Sequence, residues 1–258
     1  SKAEEWIKIA EDYIGNGKND YSFVIYLLGR NEYLYPKLKK DSLCKNGYVS
    51  QVVKTRSIQK KGALSVCSKI LLQINAKLGG ISYKTEINKE IKDRKFMVIG
   101  VDSSHNRKRT GVAMIATIND SFTDFYNKEE IIKEENKSKL QFCVSSFIEE
   151  AIAAYNKKNK ELPKSIIIYR QGVSLHQKQQ LKEEIIHIEE ACKTKNVLFY
   201  YILVNTKTTY KFFEKDEKKK EYYNPESGLL VLDGVTNRNY FEFYIQPQEV
   251  TGGSATPT

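Results

Sequence analysis

Apolar and polar residues alternate along this chain in short blocks that predict a mixture of strands and helices. The predicted strands are rich in β-branched and aromatic residues, and the predicted helices carry apolar residues at i, i+3, i+4 and i+7. In the first part of the chain we predict strands over residues 21–28 and 49–55 and helices over residues 6–14, from about 31, and over 63–78. Gly79 and Gly80 provide the stop for the last helix. The pattern indicates a small α/β unit.

From about residue 95 a longer α/β succession begins. Strands are predicted at residues 96–101, 111–118, 122–126, 165–170, 197–204, 228–232 and 240–245, and helices at about 140–155 and 181–192. Residues 127–139 are expected to form a charged connection, and Lys218 to Lys220 a lysine-rich loop. The order β-β-β-α-β-α-β, with Asp102 ending the first strand, is that of the ribonuclease H-like fold.

Composition adds a basic balance. The 258 residues include 42 lysines and arginines and 32 acidic residues, which gives a net charge of +10. This charge favours the binding of polyanions such as nucleic acid. The alternative is that the lysine-rich surface is simply solvated. The four cysteines have no metal-site spacing and two lie on apolar helical stripes, which predicts reduced thiols and an intracellular protein. No apolar run approaches the ~20 residues needed to cross a bilayer. Both ends look cut, so we expect a fragment.

The stretch from Ser165 to Gln177 predicts a buried central strand that ends at a polar residue. Tyr169-Arg170, then Gly172-Val173-Ser174 and Gln177, resemble the signature of the Piwi domain in Argonaute-type proteins, specifically a divergent Piwi-clade member. This resemblance implies an α/β fold: a ribonuclease H-like Piwi domain over residues 91–258, preceded over residues 1–90 by the C-terminal part of a Rossmann-like Mid domain.

The resemblance also implies a degenerate site for RNA cleavage. Relatives that cut RNA hold two Mg²⁺ ions with four ligands, and only Asp102, in Val-Ile-Gly-Val-Asp-Ser-Ser-His, matches. Ser138 and Gln171 replace acidic ligands, and the fourth ligand, usually a histidine, would follow residue 258. We expect no catalytic cofactor and a weak metal site or none. An active Mg²⁺-dependent endonuclease rescued by Glu134 or Glu135 remains the enzymatic alternative.

A pocket for the 5′ phosphate of a guide RNA is implied by five matching residues. They are Tyr35, Lys39, Gln51, Gln73 and Lys77. Their spacing suits the role, because i, i+4 residues share a helix face, lysine binds phosphate and an aromatic ring stacks on an unpaired base. Tyr33 and Lys37 have the same spacing as Tyr35 and Lys39 and remain an alternative pair. Mg²⁺ at this phosphate is a further expectation.

Arg170, Lys207 and Lys211 are expected to contact the guide backbone. The expected function is small-RNA-guided RNA binding without slicing, with a small guide RNA carrying a 5′ phosphate, a target RNA and proteins of a silencing or RNA-processing complex as partners. No membrane partner is expected. A protein scaffold with a vestigial RNA site is the third hypothesis. Clade resemblance favours the nucleus over the cytoplasm.

Overall fold

A computed structural model describes most of the chain. The described residues are 5, 8–9, 12, 23–29, 33–45, 47–106, 108–133, 139–171, 178–206, 208–218, 220–237 and 241–250. The helix expected over residues 6–14 lies largely outside these ranges. The chain divides into two compact units, Ser1–Thr85 and Glu86–Thr258. Among the described residues, no helix has the length and apolar character that crossing a membrane requires.

The first unit is a small α/β arrangement built on two parallel strands. Its elements are β1 (Phe23–Leu28), α1 (Leu34–Lys40), a wider helical turn (Asp41–Lys45), β2 (Val49–Lys54), α2 (Thr55–Ile58) and α3 (Ala63–Lys77). β1 and β2 pair in parallel, with Val24 opposite Ser50 and Ile25 opposite Gln51. The buried core consists of Tyr26, Leu34, Leu38 and Tyr48. Helix α1 packs its two leucines into this core, which leaves its neighbouring face for polar side chains.

The second unit is built around a five-stranded mixed sheet. Its elements are α4 (Lys89–Lys92), β3 (Phe96–His105), β4 (Arg109–Thr117), β5 (Phe125–Lys133), α5 (Lys139–Asn159), β6 (Ser165–Arg170), α6 (Lys178–Lys193), β7 (Leu198–Leu203), β8 (Glu214–Asp216), β9 (Glu221–Tyr223), β10 (Leu229–Val231) and β11 (Tyr244–Gln246). The strand order is β5-β4-β3-β6-β7, with β3, β6 and β7 parallel and β3, β4 and β5 antiparallel. The predicted ribonuclease H-like succession is confirmed.

One face of this sheet forms the core with α5 and α6. The core-facing side chains alternate along each strand, as the period of two requires, and include Met97, Ile99 and Val101 on β3 and Ile166 and Ile168 on β6. Phe147, Ile148 and Ile188 from the helices complete it. Because Val101 and Arg170 face this core, the next residue along each strand, Asp102 or Gln171, turns to the opposite face.

Several predicted boundaries are wrong. β5 begins at Phe125 and takes in residues 127–133, which we expected to be a charged connection; its alternate side chains are exposed at a sheet edge, so charged residues suit it. Phe122 instead lies in a turn with φ 51°. Lys218 and Lys220 lie between two short paired strands, β8 and β9, which the sequence did not predict because their residues show no apolar alternation. Cys67 is only partly buried, whereas Cys143 and Cys192 are buried free thiols.

Core packing around β6 gives a stability prediction. We expect Ile168→Ala to lower the free energy of unfolding by ~2–5 kcal/mol, because this side chain is fully buried and its loss leaves a cavity. Ile131→Ala is the matched control: that side chain is 71% exposed at the sheet edge, so we expect a change within ~0.5 kcal/mol. Urea unfolding of the two variants measures the difference. Equal losses would contradict the assignment of the core face.

Candidate functional site

Two lysines of the first unit converge on one backbone oxygen. The Lys39 ammonium, on α1, donates to the carbonyl oxygen of Ser50 over 2.8 Å, and the Lys77 ammonium, from the last turn of α3, donates to the same oxygen over 2.8 Å. The ammonium nitrogens of Lys39 and Lys77 are therefore separated by at most twice 2.8 Å. The structure thus places two positive charges, 38 residues apart in sequence, at a single point on β2.

Gln51 joins the lysines to the rest of the predicted pocket. Its side-chain oxygen accepts a hydrogen bond from Lys77 over 2.6 Å, and its amide nitrogen donates to the side-chain oxygen of Gln73 over 3.0 Å. Gln51 is 6% exposed, so the orientation of its amide is fixed by these partners. Lys39, Gln51, Gln73 and Lys77 therefore form one hydrogen-bonded cluster around Ser50, and we call it the lysine pocket.

The helix end that carries Lys77 is shaped by two glycines. Gly79 has φ +84°, a left-handed conformation that favours glycine, and it terminates α3 immediately after Leu78. A Cβ atom on Gly80 would come within 2.2 Å of the side-chain oxygen of Asn75, so a larger residue at this position would require the Asn75 amide to move. The Lys-Leu-Gly-Gly sequence thus sets where the last turn of α3 ends.

Electrostatics in the lysine pocket favour an anion. Partial burial, and then the nearby Lys77 ammonium, lower the pKa of Lys39. Each ammonium has three N–H donors, and among the described residues Lys39 uses two on Ser50 while Lys77 uses one on Ser50 and one on Gln51. With respect to the part of the chain that the structure describes, one donor therefore remains on each lysine. The pocket can therefore offer two charged N–H groups to a single anionic group.

Tyr35 lies one helical turn before Lys39, on the same face of α1, and its side chain is 48% exposed. The alternative pair, Tyr33 and Lys37, is exposed, and it is Lys39 that reaches Ser50. The geometry favours the first pair over the second.

The second unit holds a cleft on the open face of its sheet. Asp102 and Gln171 line this cleft of about 610 Å³ together with Tyr169, Ile115 and other residues. The Gln171 backbone N–H donates to the Val101 carbonyl over 2.8 Å, which places Gln171 beside Asp102. Asp102 and the residue expected to replace an acidic ligand, Gln171, are thus neighbours. Asp102 Oδ1 accepts a hydrogen bond from the backbone N–H of the next residue, Ser103, at 2.7 Å.

Glu129 is a carboxylate of this cleft that the sequence analysis missed. Asp102 pairs with Ala113 across β3 and β4, and Ala113 pairs with Glu129 across β4 and β5, so the two acids share one row and one face. Within the described ranges, no group of three or more histidine, cysteine or acidic side chains could hold a metal ion. Two carboxylates and a neutral amide do not fit a pair of Mg²⁺ ions. Ser138, Glu134 and Glu135 lie outside the described residues.

Arg170 is not available to a guide backbone, which corrects the sequence-based expectation. Its side chain is 0% exposed, and its guanidinium binds Glu184 of α6 at 3.0 Å, the Ser103 hydroxyl at 3.3 Å and the Gln171 carbonyl. Glu184 also accepts a hydrogen bond from the Tyr201 hydroxyl at 2.9 Å. Burial, and then the charge of Glu184, raise the pKa of Tyr201. Arg170 therefore ties β3, β6, β7 and α6 together under the cleft.

The other two residues expected on the guide path are Lys207 and Lys211. Lys207 lies outside the described residues. Lys211 is exposed in the segment that follows β7. Nearby, the Thr206 hydroxyl oxygen accepts a long contact of 3.5 Å from the Gln171 amide, which links this segment to the edge of the cleft.

The sheet order, its helices and the position of Asp102 define the second unit as ribonuclease H-like. Comparison with protein-family models identifies the family within this fold class, because the Piwi domain model matches residues 22–258. The chain therefore belongs to the Piwi-domain family of Argonaute-type proteins.

Curated relatives agree with this assignment. The chain is 31% identical over 233 residues to the Piwi-like protein Ago3 of Bombyx mori, covering 87% of this chain and 24% of the relative. It is 31% identical over 234 residues to Protein argonaute-3 of Drosophila melanogaster, covering 89% and 26%. The chain thus spans about a quarter of the length of these relatives.

Solved structures of the family share the fold. Kluyveromyces polysporus Argonaute with a guide RNA superposes with a TM-score of 0.77 at 22% identity, covering 97% of this chain and 31% of that one. Drosophila Piwi superposes with a TM-score of 0.76 at 22% identity, covering 99% and 34%. At this identity the likeness concerns the fold alone.

The buried ion pair under the cleft gives a second stability prediction. We expect Glu184→Gln to destabilise the second unit by ~3–5 kcal/mol, because it leaves the Arg170 charge buried without its partner. Glu161→Gln makes the same chemical change at the exposed pair with Lys95, where we expect little effect because water screens both charges. Denaturant unfolding followed by a probe in the second unit measures both. A Glu184→Gln variant as stable as Glu161→Gln would show that the pair is dispensable.

Proposed function

We propose that this chain holds the 5′ phosphate of a small guide RNA in the lysine pocket and binds target RNA through that guide without cutting it. The observation that carries the proposal is the meeting of the Lys39 and Lys77 ammonium groups on the Ser50 carbonyl. Like charges held this close gain most from an anion that bridges them. Family membership supports RNA as the ligand, and one fold relative was solved with a guide RNA.

A terminal phosphate suits the pocket better than a phosphate within a chain. The pocket holds two ammonium groups, and a terminal phosphate brings about −1.5 to −2 charge and three acceptor oxygens to them, whereas a phosphate within a chain brings a single negative charge and two such oxygens. Tyr35 supplies a half-exposed ring one turn away, on which the first base would stack for ~1–3 kcal/mol. We include Mg²⁺ as an additional partner of the bound phosphate, with the lysines as the main source of positive charge.

Beyond the pocket the guide would follow basic groups that contact phosphates without reading sequence. Lys211 is an exposed candidate, and Lys207 is proposed from its place in the sequence. Target RNA would be selected by base pairing with the guide. We propose further that the complex recruits or is stabilised by proteins of a silencing or RNA-processing assembly, and that it acts in the nucleus.

The absence of slicing is proposed from the donor set of the cleft. Asp102 and Glu129 contribute two carboxylates, and Gln171 contributes a neutral amide where cutting relatives have an aspartate. Two Mg²⁺ ions carry four positive charges and are usually held by more carboxylates than this. The described residues therefore favour binding over catalysis.

Affinity for RNA with and without a 5′ phosphate tests the lysine pocket. At fixed salt we expect the phosphorylated RNA to bind more tightly, and Lys39→Met or Lys77→Met to reduce this preference by ~10–100-fold, the loss of a charge-assisted hydrogen bond worth ~1.5–3 kcal/mol. Chelation of Mg²⁺ should reduce the preference less than either substitution does.

Lys40→Met is the matched control, because Lys40 follows Lys39 on the same helix but lies on a different face and is exposed. The Lys40→Met substitution should lower the affinity for both RNAs slightly and by the same factor, as expected for a screened, non-specific contact. A wild-type protein that binds the two RNAs equally would overturn the proposed guide binding and leave the scaffold hypothesis in its place.

The cleavage prediction is separate. With a guide, a matched target RNA and Mg²⁺, we expect no product above that formed by an Asp102→Ala variant. Mg²⁺-dependent cleavage that disappears in Asp102→Ala would establish the endonuclease alternative. Such a result would also require carboxylates from outside the described residues, and Glu134→Gln and Glu135→Gln would identify them.

A further inference from the structure

Two buried serines close a ring of hydrogen bonds that begins and ends on Lys39. The Lys39 ammonium donates to the Ser50 hydroxyl oxygen at 3.1 Å, the Ser50 hydroxyl donates to the Ser42 hydroxyl oxygen at 3.0 Å, and the Ser42 hydroxyl donates to the Lys39 backbone carbonyl at 3.3 Å. Each hydroxyl therefore accepts once and donates once, all in the same direction. The direction is fixed, because an ammonium can only donate and a carbonyl can only accept.

Both serines are withdrawn from solvent. Ser42 is 0% exposed and Ser50 is 1% exposed, so neither hydroxyl can touch a ligand in the lysine pocket. Buried hydroxyl groups are costly unless they are hydrogen-bonded, and here each partner of a hydroxyl belongs to Lys39 or to the other serine. Ser42 also lies in the wider helical turn that directly follows α1, where its side chain can reach back three residues to Lys39.

We infer that Ser50 and Ser42 are positioning residues that aim the Lys39 ammonium at the 5′ phosphate. The inference rests on the proposed function for its ligand, but the geometry of the ring does not depend on RNA. With the Ser50 carbonyl and hydroxyl oxygens both bound to it, the Lys39 nitrogen is held at two points and directs its third N–H outward. Without the hydroxyl, only one point of attachment remains.

Substitution of the serines tests this role through the phosphate preference, the ratio of affinities for 5′-phosphorylated and 5′-hydroxyl RNA. We expect Ser50→Ala to lower the ratio about tenfold and Ser42→Ala about threefold, because the second hydroxyl acts only through the first. Ser50→Thr keeps the hydroxyl on a strand position and should restore the ratio to within about twofold of wild type. A loss of folding would instead lower the affinity for both RNAs.

Ser68→Ala is the matched control. The Ser68 hydroxyl also donates to a backbone carbonyl, that of Leu64 at 3.0 Å, but it is exposed and lies on α3 five residues before Gln73, away from the pocket face. This variant should keep the wild-type ratio. In a Lys39→Met background, Ser50→Ala should cause no further loss, since the serine acts through that lysine.

A measurement without RNA keeps the inference testable on its own. The rate at which an acylating reagent modifies Lys39, followed by mass spectrometry across a pH series, reports how much neutral amine is present. Removing the Ser50 hydroxyl takes away an acceptor that favours the ammonium, so the profile of Ser50→Ala should move to lower pH, while that of Ser68→Ala should coincide with wild type.

The outcomes separate the two proposals. Both proposals are supported if Ser50→Ala shifts the pH profile of Lys39 acylation and lowers the phosphate preference, with no further loss of preference in the Lys39→Met background. A shifted profile in a protein that shows no phosphate preference overturns the guide-binding proposal and keeps the serine ring. If Ser50→Ala leaves the pH profile of Lys39 acylation unchanged, or keeps the wild-type phosphate preference, the positioning role is overturned. This holds whether or not the wild-type protein prefers 5′-phosphorylated RNA.

Discussion

The repulsion between two ammonium groups is the constraint around which the first unit is organised. Two unit charges at ~4 Å near a protein surface repel by ~4 kcal/mol, so they stay together only where polar atoms hold them. Here the Ser50 carbonyl and the Gln51 amide oxygen do so, and both belong to β2. Strand β2 is thus the element that brings α1 and α3 to a common point. An anion bound between the two ammonium groups would be attracted to both and would offset their repulsion.

The second unit presents the opposite electrostatic situation. Its cleft is lined by the acids Asp102 and Glu129 on the open face of the sheet, while a buried ion pair, Arg170 with Glu184, lies on the other side. This pair holds the strand ends in place through Ser103 and the Gln171 carbonyl rather than through the Gln171 side chain. The architecture of the cleft therefore does not depend on an aspartate at position 171.

Periodicity made the strand order and the main helices predictable, because apolar residues on one face of an element report burial directly. Long-range polar contacts leave no such trace. Arg170 looked like a phosphate ligand because its partner, Glu184, sits fourteen residues away on a helix rich in charge. Glu129 was hidden in a charged run that proved to be an edge strand.

The lysine pocket could be predicted only through a family resemblance, residue by residue. Spacing placed Lys39 and Lys77 on suitable helix faces, but it could not reveal that both reach one carbonyl oxygen, because that depends on how β2 lies between the two helices. The serine pair gave no signal at all, since two hydroxyls eight residues apart match no periodic pattern.

The closed ring on Lys39 also has a consequence for the thermodynamics of ligand capture. A free lysine side chain carries ~2 kcal/mol of rotamer entropy, which a binding site normally loses when its ligand arrives. A lysine already tied to its own backbone through Ser42 and Ser50 loses that freedom during folding instead. The pocket is thus preorganised, and more of the energy of each new contact appears as affinity and as a longer residence time.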